Sequence, residues 1–187
     1  MSDEGEGLVN PERPPSMQRT SALSSVEELV ADVLPDCWAY AFRLLGDYAS
    51  AEDAVQDALV RVFRSRRLQR RMLSGERGLL FRIIHSCAID ELRRRNRRSR
   101  LRALLEVSYR AATEDVSTER TIVNDALAAL SIEDRSVILL VDVHGLSYDE
   151  AAGILAIPEG TVASRLSRSR RTVRVFLDKQ LKEVPSK

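Results

Sequence analysis

Residues 147–177 read SYDEAAGILAIPEGTVASRLSRSRRTVRVFL and contain, in order, the parts of a helix-turn-helix. Ser147 followed three residues later by Glu150 is the pattern of a capping box, which opens a helix by satisfying two orphan backbone donors reciprocally. Ala151, Ala152 and Leu155 let that short helix pack closely against a neighbour. Ala156-Ile157-Pro158 supplies a turn, and a longer helix starts at about Glu159. Ile157, Val162 and Leu166 mark the inner face of this second helix. Its outer face carries Thr161, Ser164, Arg165, Ser167, Arg168 and Arg171, which combine phosphate-binding charge with side chains able to read base edges. A merely solvated basic helix is the plain alternative. It would need no small-residue packing partner three residues upstream.

The charge pattern extends this reading outward. The net charge of +1 conceals alternating blocks: residues 1–60 hold 3 basic against 12 acidic residues, 61–110 hold 16 against 4, 111–150 hold 2 against 9, and 151–187 hold 8 against 3. Two basic blocks separated by an acidic one fit two nucleic-acid-facing surfaces joined to acidic surface that is either solvated or meets a basic partner. The first basic block centres on RRRNRRSR, residues 93–100, which follows a helical pattern with Leu80, Ile83, Ile84, Cys87, Ala88 and Leu92 inward. Cations favour a helix C-terminus by only roughly a few tenths of a kcal/mol, so six arginines in eight residues exceed that need. A polyanion would offset their repulsion, DNA most economically and RNA on charge alone.

Upstream, a second amphipathic helix buries Ala51, Ala54, Val55, Ala58, Leu59, Val62 and Phe63 and leaves Glu52, Asp53, Gln56, Asp57 and Arg61 outside. Ser50 and Asp53 resemble its capping box, and Gly46 stops the helix before it. That earlier helix runs from Val26 through Trp38 to Leu45, and Pro35 is expected to kink or divide it. Residues 1–24, with three prolines and many polar residues, read as a disordered extension. Residues 25–98 form one module, 99–121 a linker and 122–180 a second module, with 181–187 a tail. Residues 122–130 and 137–143 supply two further helices of the second module. No segment alternates apolar and polar over strand length, and the expected fold class is all-α: two small helical modules, the first of three to four helices, joined by a flexible linker.

Other chemistries find little support. Cys37 and Cys87 lie in apolar stretches without neighbouring ligands, and His85 and His144 are too scattered for a metal site, so neither a metal nor another cofactor is expected. A nuclease built on Asp53, Asp57, Asp90 and Glu91 would need a convergence that the helix phases do not provide. No apolar run approaches the roughly 20 residues of a membrane span, and the start MSDEGEG is acidic, unlike a signal peptide, which points to a cytoplasmic protein without membrane insertion.

From about Cys37 to Leu177 the chain resembles the extracytoplasmic-function (ECF) sigma factors of the bacterial sigma-70 family. AFRLLGDYASAEDAVQDALVRVFRS is similar to the helices of their second region, LLFRIIHSCAIDELRRRNRR to their promoter-melting helix, and ALAALSIEDRSVILLVDVHGLSYDEAAGILAIPEGTVASRLSRSRR to their fourth region. The resemblance implies a non-enzymatic subunit that binds core RNA polymerase, through the β′ clamp helices and the β subunit, and directs it to promoter DNA. It implies that Asp53, Gln56, Asp57 and Arg61 dock on the clamp helices. It implies contacts to the minus-ten element from Arg82, His85, Ser86, Ile89, Asp90 and Arg93, with Arg94, Arg95 and Arg97 beside them. Ser164, Arg165, Ser167 and Arg168 match readers of the minus-thirty-five element. Many relatives are held by an anti-sigma factor between their modules, which a flexible linker permits without requiring.

The chain departs from the family pattern at Leu79, where Trp is frequent, at Ser86, where Asn is frequent, and at Ala163, where a basic residue is usual. Ala156 stands in place of the usual turn Gly, and a left-handed conformation there costs an alanine about 1 kcal/mol. The competing function is a stand-alone helix-turn-helix repressor or activator. Such a protein would carry a sensing or dimerisation domain, where this one offers an acidic face and an arginine-rich helix.

Overall fold

A computed structural model describes the backbone of residues 15–76, 78–105 and 122–183, and the side chains of 25–76, 78–100 and 122–180. Eight α-helices account for most of the described residues: α1 (Pro15–Leu45), α2 (Tyr48–Arg64), α3 (Arg66–Leu73), α4 (Leu79–Leu105), α5 (Ile122–Ala128), α6 (Ile132–Ile138), α7 (Tyr148–Leu155) and α8 (Glu159–Glu183). α6 continues directly into a π-helical turn, Leu139–Val143. Helices α1, α2 and α4 pack on one another with α3 closing one end, and α5 to α8 form the second group.

Several boundaries differ from the sequence reading, each for a local reason. α1 begins at Pro15, so residues 15–24, read as extension, carry helical backbone. Pro at a first helical position costs no hydrogen bond, and extending a helix already anchored by packing avoids nucleation. Pro35 neither divides nor ends α1. It and Ala31, whose carbonyl loses its i+4 donor, are both exposed, so water can serve the freed oxygen. The cap of α2 is Asp47, not Ser50: its carboxylate accepts from the backbone N–H of Ser50 at 2.8 Å, and Ser50 lies buried inside the first turn. Phe63 is 39% exposed rather than inward. It follows half-buried Leu59 by four residues and falls off the edge of the buried stripe. α6 starts five residues earlier than expected, because Ser131 caps it by accepting from Asp134 N–H. α4 runs on to Leu105, seven residues into the stretch read as linker, and the remainder of that stretch lies outside the described residues.

The two groups share one apolar core. Tyr40, Leu44, Leu80, Ile84, Leu139, Leu140 and Leu166, drawn from both, are each exposed by less than 2%. Across the seam, Arg135 of α6 donates from Nη1 to the Leu44 carbonyl at 3.0 Å, while its other donors serve the carbonyls of Leu127, Ala128 and Leu130. Its charge is thus spread over the carboxyl ends of α1 and α5, where helix dipoles favour a cation. Tyr40 and Phe81 pack edgewise and tilted against His144, with ring centroids 6.1 and 5.1 Å away. At the start of α4, a Cβ on Gly78 would come within 3.3 Å of Ile154.

Candidate nucleic-acid interface

The α7–α8 pair has the geometry its sequence demanded. Both hydrogen bonds of the Ser147–Glu150 capping box are made. Ala151, Ala152 and Ile154 of α7 are buried, with Leu155 half-buried, and Val162 and Leu166 are buried on α8. Ala156 ends α7 at φ 54° and ψ 45°, so the left-handed turn is built with an alanine in place of glycine. The Pro158 carbonyl then starts α8 by accepting from the backbone N–H groups of Thr161 and Val162.

On α8, Ser164, Ser167, Arg168 and Arg171 are exposed, while Thr161 and Arg165 are half-buried. Arg168 is braced by a bidentate pair to Asp134, with Nε and Nη2 donating at 2.8 and 2.7 Å. That guanidinium holds the Asp134 carboxyl below the usual carboxylate range. Ser169, fully buried, donates to the carbonyls of Asp134 and Arg165 and fixes the rotation of α8. Arg170 is paired in the same two-pronged way to Asp142. Asp134, Ser169 and Arg170 therefore fix the position of α8, a role not assigned to them from sequence. The signal was partly there: Ser131 and Asp134 have capping spacing, and an i, i+4 step joins Arg165 to Ser169. An open groove of about 390 Å³ runs beside these residues, lined by Tyr148, Ala163, Ser167, Arg171, Arg174 and Val175.

On the first group, Asp53, Gln56 and Asp57 are exposed along α2, as is Arg61, which reaches Asp90 of α4 at 3.5 Å. The residues singled out on α4 separate into kinds. Ser86, Arg93, Arg95 and Arg97 are exposed, and Ile89, Asp90 and Arg94 half-buried. Arg93 pairs with Asp90, Arg94 with Asp57 and Glu91, and Arg95 with Asp47. Of the carboxylates that a metal nuclease would need, Asp57, Asp90 and Glu91 are taken up in these pairs. No group of three His, Cys, Asp or Glu residues among those described is placed to hold a metal ion.

Arg82 and His85 sit at or next to the seam. Arg82 donates from Nε to the Gly153 carbonyl of α7 at 3.0 Å and from Nη1 to Glu76 at 3.1 Å. His85 accepts or donates at Nδ1 with the Tyr40 hydroxyl at 2.8 Å, and burial pushes its pKa down to about 4. It is a neutral imidazole at neutral pH. His144 is likewise shifted down by burial, and its Nε2 is buried with no partner.

A helix-turn-helix with an exposed mixed Arg/Ser face and a separate arginine-rich helix, both on an all-helical frame, define a two-headed nucleic-acid-binding protein. The family profile "Sigma-70 region 2" matches residues 29–98, and "Sigma-70, region 4" matches 120–173. The chain is 36% identical over 172 residues to the ECF RNA polymerase sigma factor SigE of Mycolicibacterium smegmatis, covering 87% of this chain and 65% of that relative's length. It is 34% identical over 174 residues to the ECF RNA polymerase sigma factor SigL of Mycobacterium tuberculosis, covering 86% of this chain and 96% of the relative. Among solved structures it is similar to the sigma factor RpoE of Bartonella quintana in complex with the anti-sigma factor NepR, with TM-score 0.65, 28% identity, and coverage of 81% of this chain and 96% of that one. It is also similar to CnrH in complex with the cytosolic domain of CnrY, with TM-score 0.60, 25% identity, and coverage of 86% and 94%. The chain belongs to the sigma-70 family, in its ECF group, whose members direct promoter-specific transcription initiation. No described helix is long and apolar enough to cross a membrane.

Proposed function

We propose that this chain is a dissociable subunit of RNA polymerase that docks through the exposed Asp53, Gln56, Asp57 and Arg61 face of α2 on the β′ clamp helices, and through its second module on the β subunit. Arg82, His85, Ser86, Ile89, Asp90, Arg93, Arg94, Arg95 and Arg97 of α4 meet the minus-ten element, and Thr161, Ser164, Arg165, Ser167, Arg168 and Arg171 of α8 meet the minus-thirty-five element. The polymerase supplies the catalytic chemistry and its metals. The chain acts in the cytoplasm, at the nucleoid when bound to polymerase. The observation that carries the reading is the presence of both sigma regions, in order, along one chain.

The packed seam adds a step. Elements centred near minus ten and minus thirty-five lie about 25 base pairs apart, or about 85 Å of duplex at 3.4 Å per pair. Arg82 of the one reading helix, by contrast, touches the backbone of α7 in the other module. The two modules must therefore separate before both elements are engaged. RpoE is solved in complex with the anti-sigma factor NepR and CnrH with the cytosolic domain of CnrY; an anti-sigma factor of this chain would act by holding its two modules together. Run-off transcription with purified core polymerase, this protein and a genomic promoter library tests the reading. Promoter-dependent transcripts are expected, and none appearing would sink it. Tight duplex binding and repression by the free protein would instead favour the stand-alone regulator.

A further inference from the structure

The basic block over residues 61–110 holds more arginines than α4 accounts for, and four of them lie close together at a different place in the fold. Arg64 ends α2, and Arg66, Arg67 and Arg70 lie on α3. All four are exposed. α3 has the sequence RRLQRRML, with no carboxylate. On α4, Arg93, Arg94, Arg95 and Arg98 each reach an Asp or Glu, whereas Arg64, Arg66 and Arg67 reach none among the described residues. Arg70 makes one bond, from Nε to the Arg66 carbonyl at 3.3 Å, which leaves its charge unmatched.

This cluster stands on a fixed base. Met72 is buried and Leu68 half-buried beneath α3. Gln69 donates to the carbonyls of Phe63 and Val62 at 2.8 and 3.4 Å and ties α3 to the end of α2, and Ser65 caps the helix. Arg71 and Arg82 share the carboxylate of Glu76, which joins α3 directly to the first turn of α4. The unmatched cations are thus held beside the first turn of α4. From Arg66 to Arg70 the axis rises about 6 Å, one helical turn, comparable with about two phosphate steps of a strand at 3.4 Å each. All are arginines, whose planar forks suit phosphate oxygens better than a lysine's point charge does.

We propose that Arg64, Arg66, Arg67 and Arg70 grip the phosphodiester backbone of promoter DNA beside the minus-ten element, as a second contact independent of α4. The inference rests on the sigma-factor reading above. The grip carries charge without base recognition, so it raises affinity for every promoter alike.

The test uses holoenzyme reconstituted with the parent chain, with Arg66→Ala/Arg67→Ala/Arg70→Ala, or with the same three positions changed to Lys. Each binds promoter fragments over about 50 to 200 mM salt, where log affinity falls by roughly 0.7 to 0.9 per phosphate contact and tenfold of salt. The alanine variant should lose about two to three from the slope, weaken on all promoters equally, and converge with the parent as salt rises. The lysine variant should keep most of the slope, which separates charge from folding. An unchanged slope in the alanine variant overturns the proposal. So does loss of core-polymerase affinity at unaltered thermal stability, since the patch would then be a protein-docking surface. A parent holoenzyme that forms no promoter-specific complex would show instead that the sigma-factor reading has failed, and this inference with it.

Discussion

Gly153→Leu is the substitution that most directly separates the modules without replacing a reading residue. A Cβ at Gly153 would lie 3.1 Å from Nη2 of Arg82, so the branched side chain must push the guanidinium away and break its 3.0 Å bond to the Gly153 carbonyl. A charge-assisted hydrogen bond is worth about 1.5 to 3 kcal/mol. The Arg82 side chain is 40% exposed and keeps Glu76 as a partner, so about 1 kcal/mol is the appropriate loss after solvent screening. That shifts the closed-to-open ratio about fivefold, and apparent affinity for core polymerase should tighten by up to the same factor, because a partner that selects the open form is opposed by the fraction closed. Dyes at Glu28→Cys on α1 and Asp178→Cys on α8, both exposed, would report separation by energy transfer, with the buried Cys37 and Cys87 replaced by Ser or Ala if they label. Titration with core polymerase gives the affinity. Replacing a mid-helix glycine should not lower the helicity of α7, so a fall in thermal midpoint would be read separately. Unchanged energy transfer together with unchanged or weaker core binding would refute the latch.

The remaining predictions concern the docking face, the upstream reader and acid stability. Asp53→Ala with Asp57→Ala should weaken core binding at least several-fold while sparing DNA contacts in duplex-binding assays; equal core affinity for variant and parent would show that α2 docks elsewhere. Arg165→Ala and Arg168→Ala should each change upstream-element preference by about 1 to 3 kcal/mol for every base the arginine reads, measured by selection from randomised minus-thirty-five sequences. For Arg168 part of the effect is shared with Asp134, whose carboxylate it pairs, so Asp134→Asn should give a smaller shift of the same kind. His85 titrates near 4 in the folded protein against 6.5 when free. Below 6.5 the unfolded chain therefore takes up the proton first, so stability is full above that pH and is lost as pH falls towards 4. About 1 kcal/mol should go between pH 7.5 and 5.5, measured as a lower urea midpoint, and His85→Gln should flatten that dependence.

How much of this was legible in the sequence depended on whether the controlling contact was local. The capping box at Ser147, the buried stripe of α8 and the inward positions of α4 all depend on residues one turn apart. Spacing alone therefore located them. Phe63 and the cap of α2 were misjudged within a single turn, where a stripe edge or a choice between Asp47 and Ser50 depends on the neighbour packed above. Arg82 and His85 could be matched to promoter-contacting positions from sequence. That one also holds Gly153 and the other bonds to Tyr40 involves separations of 71 and 45 residues, which no periodicity records.

The sequence by itself determined the all-helical fold, the two modules and their order, and the helix-turn-helix with its exposed serines and arginines. Those follow from the 3.6-residue period, capping chemistry and blocks of like charge, all short-range properties of the chain. Only the tertiary structure decided which arginines are already matched and which are not. Arg168, Arg95 and Arg82 look like any other arginines until Asp134, Asp47 and Gly153 are brought beside them. Arg64, Arg66 and Arg67 are distinguished by the lack of such partners among the described residues. Charge complementarity is a property of distance in space, and burial on the shared core sets those distances.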